Sequence, residues 1–304
     1  MLTDVRRRRL ALPETGIEIA LLDWGGDGPL ALLHHANGFC AATWAPVAEQ
    51  LRPYFRVVAM DARGHGDSSK PSPEDGSPYG WPRFGEDTAA VARLLAAEHP
   101  SGRVALGLGH SFGGTSLLMA AGDHGIAFDR LVLLDPVLPP PSTGSGLDPQ
   151  RSRRGGELVE RTLRRRAVFG SRDEARATWS EKSLFAGWDP RAFDLYLAEG
   201  LFDRDDGDVE LKCAPEVEGA IFSNSFGFDA WSVASRVTAP TLLVWAERGD
   251  FPRPVYEAVV AKMPDGRIVD APTGHLVPME APDLVVREVL DFAGGLATQE
   301  RSTG

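Results

Sequence analysis

Cysteine is scarce in this sequence, which has only Cys40 and Cys213 among 304 residues. Two cysteines cannot build the disulfide framework of a small secreted domain, and these two lack the paired spacing of a zinc site. We therefore expect two free thiols, a reducing compartment and no metal centre.

Long hydrophobic runs are also lacking. No stretch approaches the roughly 18 to 20 apolar residues that a membrane-spanning helix requires. The arginines at 6–9 resemble the start of a targeting segment, but charged residues follow where an apolar region would be needed. We expect these arginines to lie in a solvated strand or a frayed start of the chain, and the chain to work in the cytoplasm without a membrane.

Positive charge is in deficit, with 32 Lys and Arg against 43 Asp and Glu and a formal net charge of −11. Such a field repels phosphate backbones, so nucleic acid is not an expected partner. Hydrophobic residues make up 43% and charged residues 25%, which is typical of a folded globular chain. The length allows one large domain or one domain with a sizeable insertion.

Short apolar runs bounded by Gly, Pro or Asp alternate with helix-like stretches. The runs have the length of strands buried on both faces, and the alternation predicts a mostly parallel sheet covered by helices. The expected strands are 17–22, 30–33, 57–60, 104–108, 131–134 and 241–245. The expected helices are 84–98, 112–121, 255–263 and 282–292.

The alternation stops between residues 136 and 240, where a proline-rich exit leads into an arginine-rich, helix-prone region. We interpret this region as an inserted cap. The core is then formed by residues 1–135 and 241–297, and residues 298–304 are expected to be a disordered tail.

The segment Gly109-His110-Ser111-Phe112-Gly113 follows an apolar run and precedes a helix-like stretch. This is the G-x-S-x-G pattern in a strand–turn–helix context. Glycines flank the serine because the sharp turn brings backbone against backbone. Since the turn lifts the hydroxyl above the sheet, Ser111 is predicted to be a nucleophile, and His110 a packing residue.

A serine hydroxyl needs an adjacent base near neutral pH, normally a histidine oriented by a carboxylate. His275 is preferred among the seven histidines, because it follows a glycine in a loop between the expected last strand, 267–269, and the final helix. Structural roles suit His34, His35 and His65 better.

The acid that would orient His275 stays open between three residues. Asp250 is preferred, in the loop after the strand at 241–245. Asp135 is the alternative, because it directly follows the strand at 131–134 and would emerge at the same sheet edge. Glu247 is the third choice.

A tetrahedral intermediate carries an oxyanion that needs preorganised N–H donors. The residue after the nucleophile, Phe112, would supply one backbone N–H. The loop at 35–39 would supply the second, with the backbone of Asn37 preferred and Gly38 possible.

Four segments match one known family in order: HHANGFCAATW from residue 34, DARGHGDS from 61, GHSFGG from 109 and GHLVPMEAP from 274. With them the chain resembles the α/β-hydrolase superfamily, near its capped esterases, lactonases and carbon–carbon hydrolases. The resemblance implies an α/β fold with a mostly parallel eight-stranded sheet and an inserted, mainly helical cap. It carries over Ser111 as nucleophile and His275 as base, and implies that Asp61, Arg63 and Gly66 shape a turn.

Two side-chain sets in the cap bear on the substrate. Most of the aromatic residues are expected to form the cap's own core, and a few would line an apolar pocket above Ser111. The aromatic set is Phe185, Trp188, Phe193, Tyr196, Phe222, Phe226, Phe228 and Trp231. The arginines are expected to pair with nearby acids rather than bind a substrate anion. The arginine set is Arg151, Arg153, Arg154, Arg161, Arg164, Arg165 and Arg166.

The resulting hypothesis is a serine hydrolase that cleaves a carboxylic ester or lactone through an acyl-Ser111 intermediate, without metal or organic cofactor. The substrate would be a small, partly apolar acyl compound. A carbon–carbon, thioester or amide bond is the alternative for the same residues. A hydrolase-shaped binding protein or biosynthetic cyclase is a third, and the oligomeric state stays open.

Overall fold

The computed structural model of the chain describes residues 2–74, 77–138, 149–227, 229–294 and 296. Its strands are β1 (Arg6–Leu12), β2 (Ile17–Gly25), β3 (Leu30–His34), β4 (Arg56–Met60), β5 (Val104–His110), β6 (Phe128–Leu134), β7 (Val168–Phe169), β8 (Leu201–Asp203), β9 (Val209–Leu211), β10 (Thr241–Arg248) and β11 (Gly266–Gly274). Its helices are α1 (Ala45–Leu51), α2 (Trp81–Glu98), α3 (Phe112–Gly122), α4 (Pro149–Leu163), α5 (Arg172–Ser180), α6 (Pro190–Glu199), α7 (Pro215–Ser223), α8 (Ala230–Ala234), α9 (Arg253–Val260), α10 (Val277–Glu280) and α11 (Pro282–Ala293).

Eight strands form the main sheet, in the order β1-β2-β4-β3-β5-β6-β10-β11. The pairs β1–β2 and β2–β4 are antiparallel, and every later pair is parallel. Each predicted strand lies within an observed one, so the predicted fold class is confirmed. Parallel pairing places the carboxyl ends of β3, β5, β6, β10 and β11 at one edge of the sheet, where loops with chemical roles collect.

Buried side chains cover both faces of the sheet. Successive strand residues point to opposite faces, so Leu33 packs into one cluster with α1 and α11, while Leu32 packs into the other with α2 and α3. Both leucines are fully buried. This double burial explains why the strands read as continuous apolar runs rather than as alternating patterns.

The arginine run lies in β1, the outermost strand on one side of the sheet. As expected, this is a strand with a solvated side, and every arginine of the run pairs with a carboxylate. The partners are Asp23 for Arg6, Glu199 for Arg7, Glu98 for Arg8 and Glu18 for Arg9.

The chain leaves the sheet after β6 and returns in β10, its neighbour in the sheet. The intervening segment carries α4 to α8 and an antiparallel three-stranded sheet of order β7-β9-β8. The small sheet was not predicted, because strands of two or three residues are too short to show a periodic pattern. Across the described segments, no helix has the length and apolarity to cross a membrane.

Candidate active site

Ser111 lies on the turn between β5 and α3, with φ 55° and ψ −122°. A non-glycine residue in this region costs about 1–3 kcal/mol and persists only where its surroundings hold it. Here the backbones are too close for side chains, because a Cβ on Gly109 would lie 2.7 Å from the Gly113 carbonyl oxygen. A Cβ on Gly113 would lie 2.4 Å from the carbonyl oxygens of both His34 and His35. The turn is thus packed tightly against the end of β3.

His275 follows β11 and faces the serine, with its Nε2 2.8 Å from Ser111 Oγ. Two contacts hold its loop. Glu280 accepts a hydrogen bond from the Gly274 backbone N–H at 2.7 Å, and His110 Nε2 lies 2.8 Å from the His275 carbonyl oxygen. His110 was predicted only to pack, but its ring also contacts the backbone of the residue that faces Ser111.

Asp135 directly follows β6 and is fully buried. Its Oδ2 lies 2.6 Å from His275 Nδ1. Its Oδ1 accepts hydrogen bonds from the Ala246 backbone N–H at 3.2 Å and the Tyr256 hydroxyl at 3.0 Å. Since a carboxylate only accepts, Nδ1 of His275 carries the proton and Nε2 is left to accept from Ser111.

Tyr256 is a member of this group that sequence reasoning missed. Burial, reinforced by the charge of Asp135, raises the pKa of Tyr256 well above its usual value. The hydroxyl therefore stays protonated and donates a hydrogen bond to the Asp135 carboxylate. No motif surrounds Tyr256 in the sequence, so only its place in α9, behind the sheet edge, reveals the contact.

The preference for Asp250 as the partner of His275 is corrected by this geometry. Strand β10 continues to Arg248, past its expected end at residue 245, and carries Glu247 and Asp250 out to exposed positions. Neither of these two carboxylates hydrogen bonds to the imidazole. Asp135 reaches it because β6 lies directly beside β5, the strand that ends at the serine turn.

The two predicted oxyanion donors lie after neighbouring strands of the sheet. Phe112 is the first residue of α3, and Asn37 lies in the loop after β3. In the described part of the chain, neither backbone N–H meets an acceptor. Two hydrogen bonds from backbone N–H groups fix the loop around Asn37. The Gly38 N–H donates to His65 Nε2 at 3.0 Å, and the Phe39 N–H donates to the Ala36 carbonyl at 3.2 Å. The assignment of the donors stays a prediction.

Three buried histidines, for which structural roles were expected, lie next to this loop. Burial, helped by His35, lowers the pKa of His34 to about 3. Burial also lowers the pKa of His35 and that of His65. All three rings are therefore neutral, and each can accept at one nitrogen; His35 Nε2 accepts the Ala62 N–H at 3.0 Å.

Four of the predicted cap aromatics, Phe185, Trp188, Phe193 and Tyr196, pack against one another, and Phe39 from the loop after β3 joins them. The Phe39 ring centroid lies 5.4 Å from that of Trp188 and 5.2 Å from that of Tyr196. Phe185 stacks on Trp179. Of the predicted set, Phe228 and the side chain of Phe226 lie outside the described residues.

Of the four predicted cap arginines whose side chains the structure describes, three pair with acids, and Arg161 is exposed and makes no ion pair with a described residue. Arg164 meets Glu160, Arg165 meets Glu218 and Arg166 meets Glu174. The side chains of Arg151, Arg153 and Arg154 lie outside the described residues. Among the residues whose placement is described, no three His, Cys, Asp or Glu side chains are grouped to hold a metal ion.

Comparison with known proteins agrees with this architecture. Residues 31–288 match the model of the alpha/beta hydrolase family. An N-formylmaleamate deformylase from Pseudomonas putida is 28% identical over 279 residues, which cover 87% of this chain and 88% of the relative.

Solved structures of similar fold include an E-2-(acetamidomethylene)succinate hydrolase, with a TM-score of 0.78, 20% identity and coverage of 95% of this chain and 99% of the other. An enol-lactonase from Burkholderia xenovorans has a TM-score of 0.65 and 20% identity, with coverage of 94% of this chain and 100% of the other. The chain belongs to the alpha/beta hydrolase family.

Proposed function

We propose that this protein is a serine hydrolase that cleaves a carboxylic ester or lactone through an acyl-Ser111 intermediate. Ser111 is the nucleophile, His275 the general base and Asp135 the acid that orients it. The observation that carries the proposal is the unbroken line of hydrogen bonds from Ser111 Oγ through His275 to Asp135, at 2.8 and 2.6 Å. This is the arrangement that activates a serine hydroxyl.

In the proposed reaction, Ser111 Oγ attacks the carbonyl carbon while His275 Nε2 takes the hydroxyl proton. The imidazolium that forms is stabilised by the buried Asp135 carboxylate. The backbone N–H groups of Phe112 and Asn37 are the proposed donors to the oxyanion. Collapse of the tetrahedral intermediate expels the alcohol, which receives the proton from His275.

Deacylation repeats these steps with water. His275 removes a proton from the water as it attacks the acyl carbon, and the resulting intermediate expels Ser111 Oγ, which regains its proton. The products are a carboxylic acid and an alcohol, or one hydroxy acid from a lactone. All proton transfers run through His275 Nε2, so no metal is needed to activate the water.

We further propose that residues 136–240 form a cap over Ser111, and that the substrate is a small molecule with an apolar acyl part. The packing of Phe39 with Trp188 supports this, because it brings an apolar side chain of the inserted segment against the loop that holds the proposed oxyanion donor Asn37. Apolar walls with a few convergent polar groups are typical of small-molecule sites.

An amide is the second candidate bond. Its support is the relative from Pseudomonas putida, which spans most of the chain and is a deformylase of N-formylmaleamate. An N-formyl group is an amide, and the same serine, histidine and carboxylate can act on it. The leaving nitrogen then takes its proton from His275.

The test is a panel of short-chain and medium-chain aryl esters, lactones, thioesters and N-formyl amides, assayed with the wild type and with Ser111→Ala. We expect ester or lactone turnover in the wild type and a loss of roughly 10⁴-fold or more in the variant. Faster turnover of the amides would favour the second candidate. Activity that survives in Ser111→Ala, or a wild type inert toward the panel and toward a fluorophosphonate probe, would contradict the proposal.

A further inference from the structure

Three cap residues converge on the loop that carries the proposed oxyanion donor. The Tyr196 hydroxyl donates to the Gly38 carbonyl oxygen at 3.0 Å. Arg165 Nη2 donates to the Tyr196 hydroxyl at 2.7 Å, and Arg165 Nη1 lies 2.7 Å from Glu218 Oε2. The chain of contacts therefore runs from a cap ion pair, through a tyrosine, to the backbone beside Asn37.

Glu218 touches the same loop directly. Gly38 has φ +82°, and a Cβ there would lie 2.8 Å from Glu218 Oε1, so the carboxylate closes on the glycine. The backbone carbonyl of Glu218 accepts a hydrogen bond from Asn37 Nδ2 at 3.2 Å. A glycine is required here for two reasons, the positive φ and the close approach of Glu218.

The network is built to keep Tyr196 a donor. Burial raises the pKa of Tyr196 to about 12, so the hydroxyl stays protonated. Burial works to lower the pKa of Arg165, but Tyr196 and Glu218 raise it overall, so the guanidinium stays charged. A cation that donates to a hydroxyl oxygen polarises the O–H, which strengthens its hydrogen bond to Gly38.

Stability alone is a weak reason for such a network. Side chains of Arg165 and Glu218 are only 20% and 13% exposed, so removing both charges from water costs much of what their attraction returns. Exposed pairs in the same cap, such as Arg176 with Asp194, carry no comparable desolvation cost. What the buried set provides is a fixed geometry at Gly38.

We propose that Arg165, Tyr196 and Glu218 are positioning residues through which the cap holds Asn37 and Gly38, and thereby sets the backbone N–H of Asn37 as an oxyanion donor. On the core side, His65 contacts the loop by accepting a hydrogen bond from the Gly38 N–H. On the cap side, Tyr196 and Glu218 contact the loop by hydrogen bonds to Gly38 and Asn37. The inference rests on the proposed function, and it makes the cap part of the catalytic geometry as well as a cover.

The oxyanion forms in the transition state and the tetrahedral intermediate, so a misplaced donor should lower kcat more than it changes KM. Removing a whole oxyanion donor costs about 10² to 10³ in kcat. Loosening one through Tyr196→Phe or Arg165→Gln should cost roughly 10-fold in kcat, with KM changed less than about 3-fold, because the interaction is made in the transition state. Affinity for a boronic acid, which forms a tetrahedral adduct with Ser111, should fall by a similar factor. Inhibition by the carboxylate product should not change.

Matched controls are Tyr54→Phe, at an exposed tyrosine outside the cap, and Arg176→Gln, at an exposed cap arginine. Both should keep wild-type kcat and boronate affinity. The double variant Arg165→Gln/Tyr196→Phe should lose less than the product of the two single losses, because both changes break one path to Gly38. Circular dichroism checks the fold. Should Arg165→Gln unfold, Arg165→Lys carries the same expectation, since an ammonium cannot span both partners with the guanidinium geometry.

Full kcat and boronate affinity in Tyr196→Phe, or equal loss of boronate and product affinity, would overturn the inference while leaving the proposed function intact. A wild type that neither turns over the panel nor binds the boronate would instead contradict the proposed function. The two failures are therefore distinguishable in one set of measurements.

Discussion

Asp135 and His275 are separated by 140 positions in the chain, yet Asp135 Oδ2 lies 2.6 Å from His275 Nδ1. The contact exists because β6 and β10 are neighbours, and β11 follows β10 in the sheet. Asp135 leaves β6 with φ 40°, and its backbone N–H donates to the Val244 carbonyl at 2.8 Å. The carboxylate is thus fixed by the sheet itself and does not depend on a long loop.

The first prediction concerns this carboxylate. Asp135→Asn should lower kcat by about 10⁴-fold, because an amide can hold the imidazole in the wrong tautomer and cannot stabilise the imidazolium. Steady-state kinetics on the best ester of the panel measures the loss.

Asp250→Asn is the matched control, since Asp250 is the carboxylate that sequence reasoning preferred. It lies exposed and makes no hydrogen bond to His275, so the change should leave kcat within about 2-fold of the wild type. A ranking in which Asp250→Asn costs more than Asp135→Asn would return the acid to the loop after β10.

Parts of the fold and of the candidate site could be predicted from the sequence, and other parts could not. The strands were predictable because burial on both faces makes them continuous apolar runs. The meeting of Ser111 and His275 at the sheet edge was predictable because glycine-rich local patterns surround both residues, and their catalytic roles stay predictions. The carboxylate beside His275 was ranked wrongly, with Asp250 preferred over Asp135, because carboxylates after β6 and after β10 both emerge at this sheet edge and the sequence does not reveal that β10 continues to Arg248. The contacts of Tyr256 and Tyr196 come from packing between distant segments, which leaves no local signal.

A second prediction tests the close packing under the serine turn. In Gly113→Ala, the new Cβ would meet the His34 and His35 carbonyl oxygens at 2.4 Å, so either α3 or the loop after β3 must shift. Either shift separates Phe112 from Asn37. We expect kcat to fall about 100-fold, the scale of a lost oxyanion donor, together with a lower Tm.

Gly156→Ala is the control, because nothing lies within 4 Å of its added Cβ and the residue is within α4. This change should leave kcat unaltered and stabilise the protein by up to about 1 kcal/mol through helix propensity. Unchanged kinetics in Gly113→Ala would show that the turn tolerates a displacement that the account forbids.

A third prediction concerns stability below neutral pH. The pKa of His34 is lowered to about 3, and the pKa of His65 and that of His110 lie well below the usual 6.5. Below about pH 6.5 the unfolded chain binds protons at these histidines and the folded chain does not. The free energy of unfolding should therefore fall as the pH drops, by about 1.4 kcal/mol per pH unit for each such histidine, until its folded pKa is reached.

Urea unfolding between pH 7.5 and 5.5 measures this slope. His34→Gln should reduce the slope near pH 5.5 by about 1.4 kcal/mol per pH unit, one proton's share, whatever it does to stability at pH 7.5. Leu94→Gln, at an exposed position without a titratable group, is the control and should keep the wild-type slope. An unaltered slope in His34→Gln would mean that the buried ring takes up its proton in the folded state.

The most direct test of the central claim, that His275 and Asp135 make Ser111 a nucleophile, is labelling by a fluorophosphonate, followed by intact-mass measurement and peptide mapping. We expect a single adduct on Ser111 in the wild type, labelling slowed by roughly 10³-fold or more in His275→Ala and in Asp135→Asn, and none in Ser111→Ala. An adduct on any other residue, or labelling of Ser111 at the wild-type rate without His275, would contradict the claim.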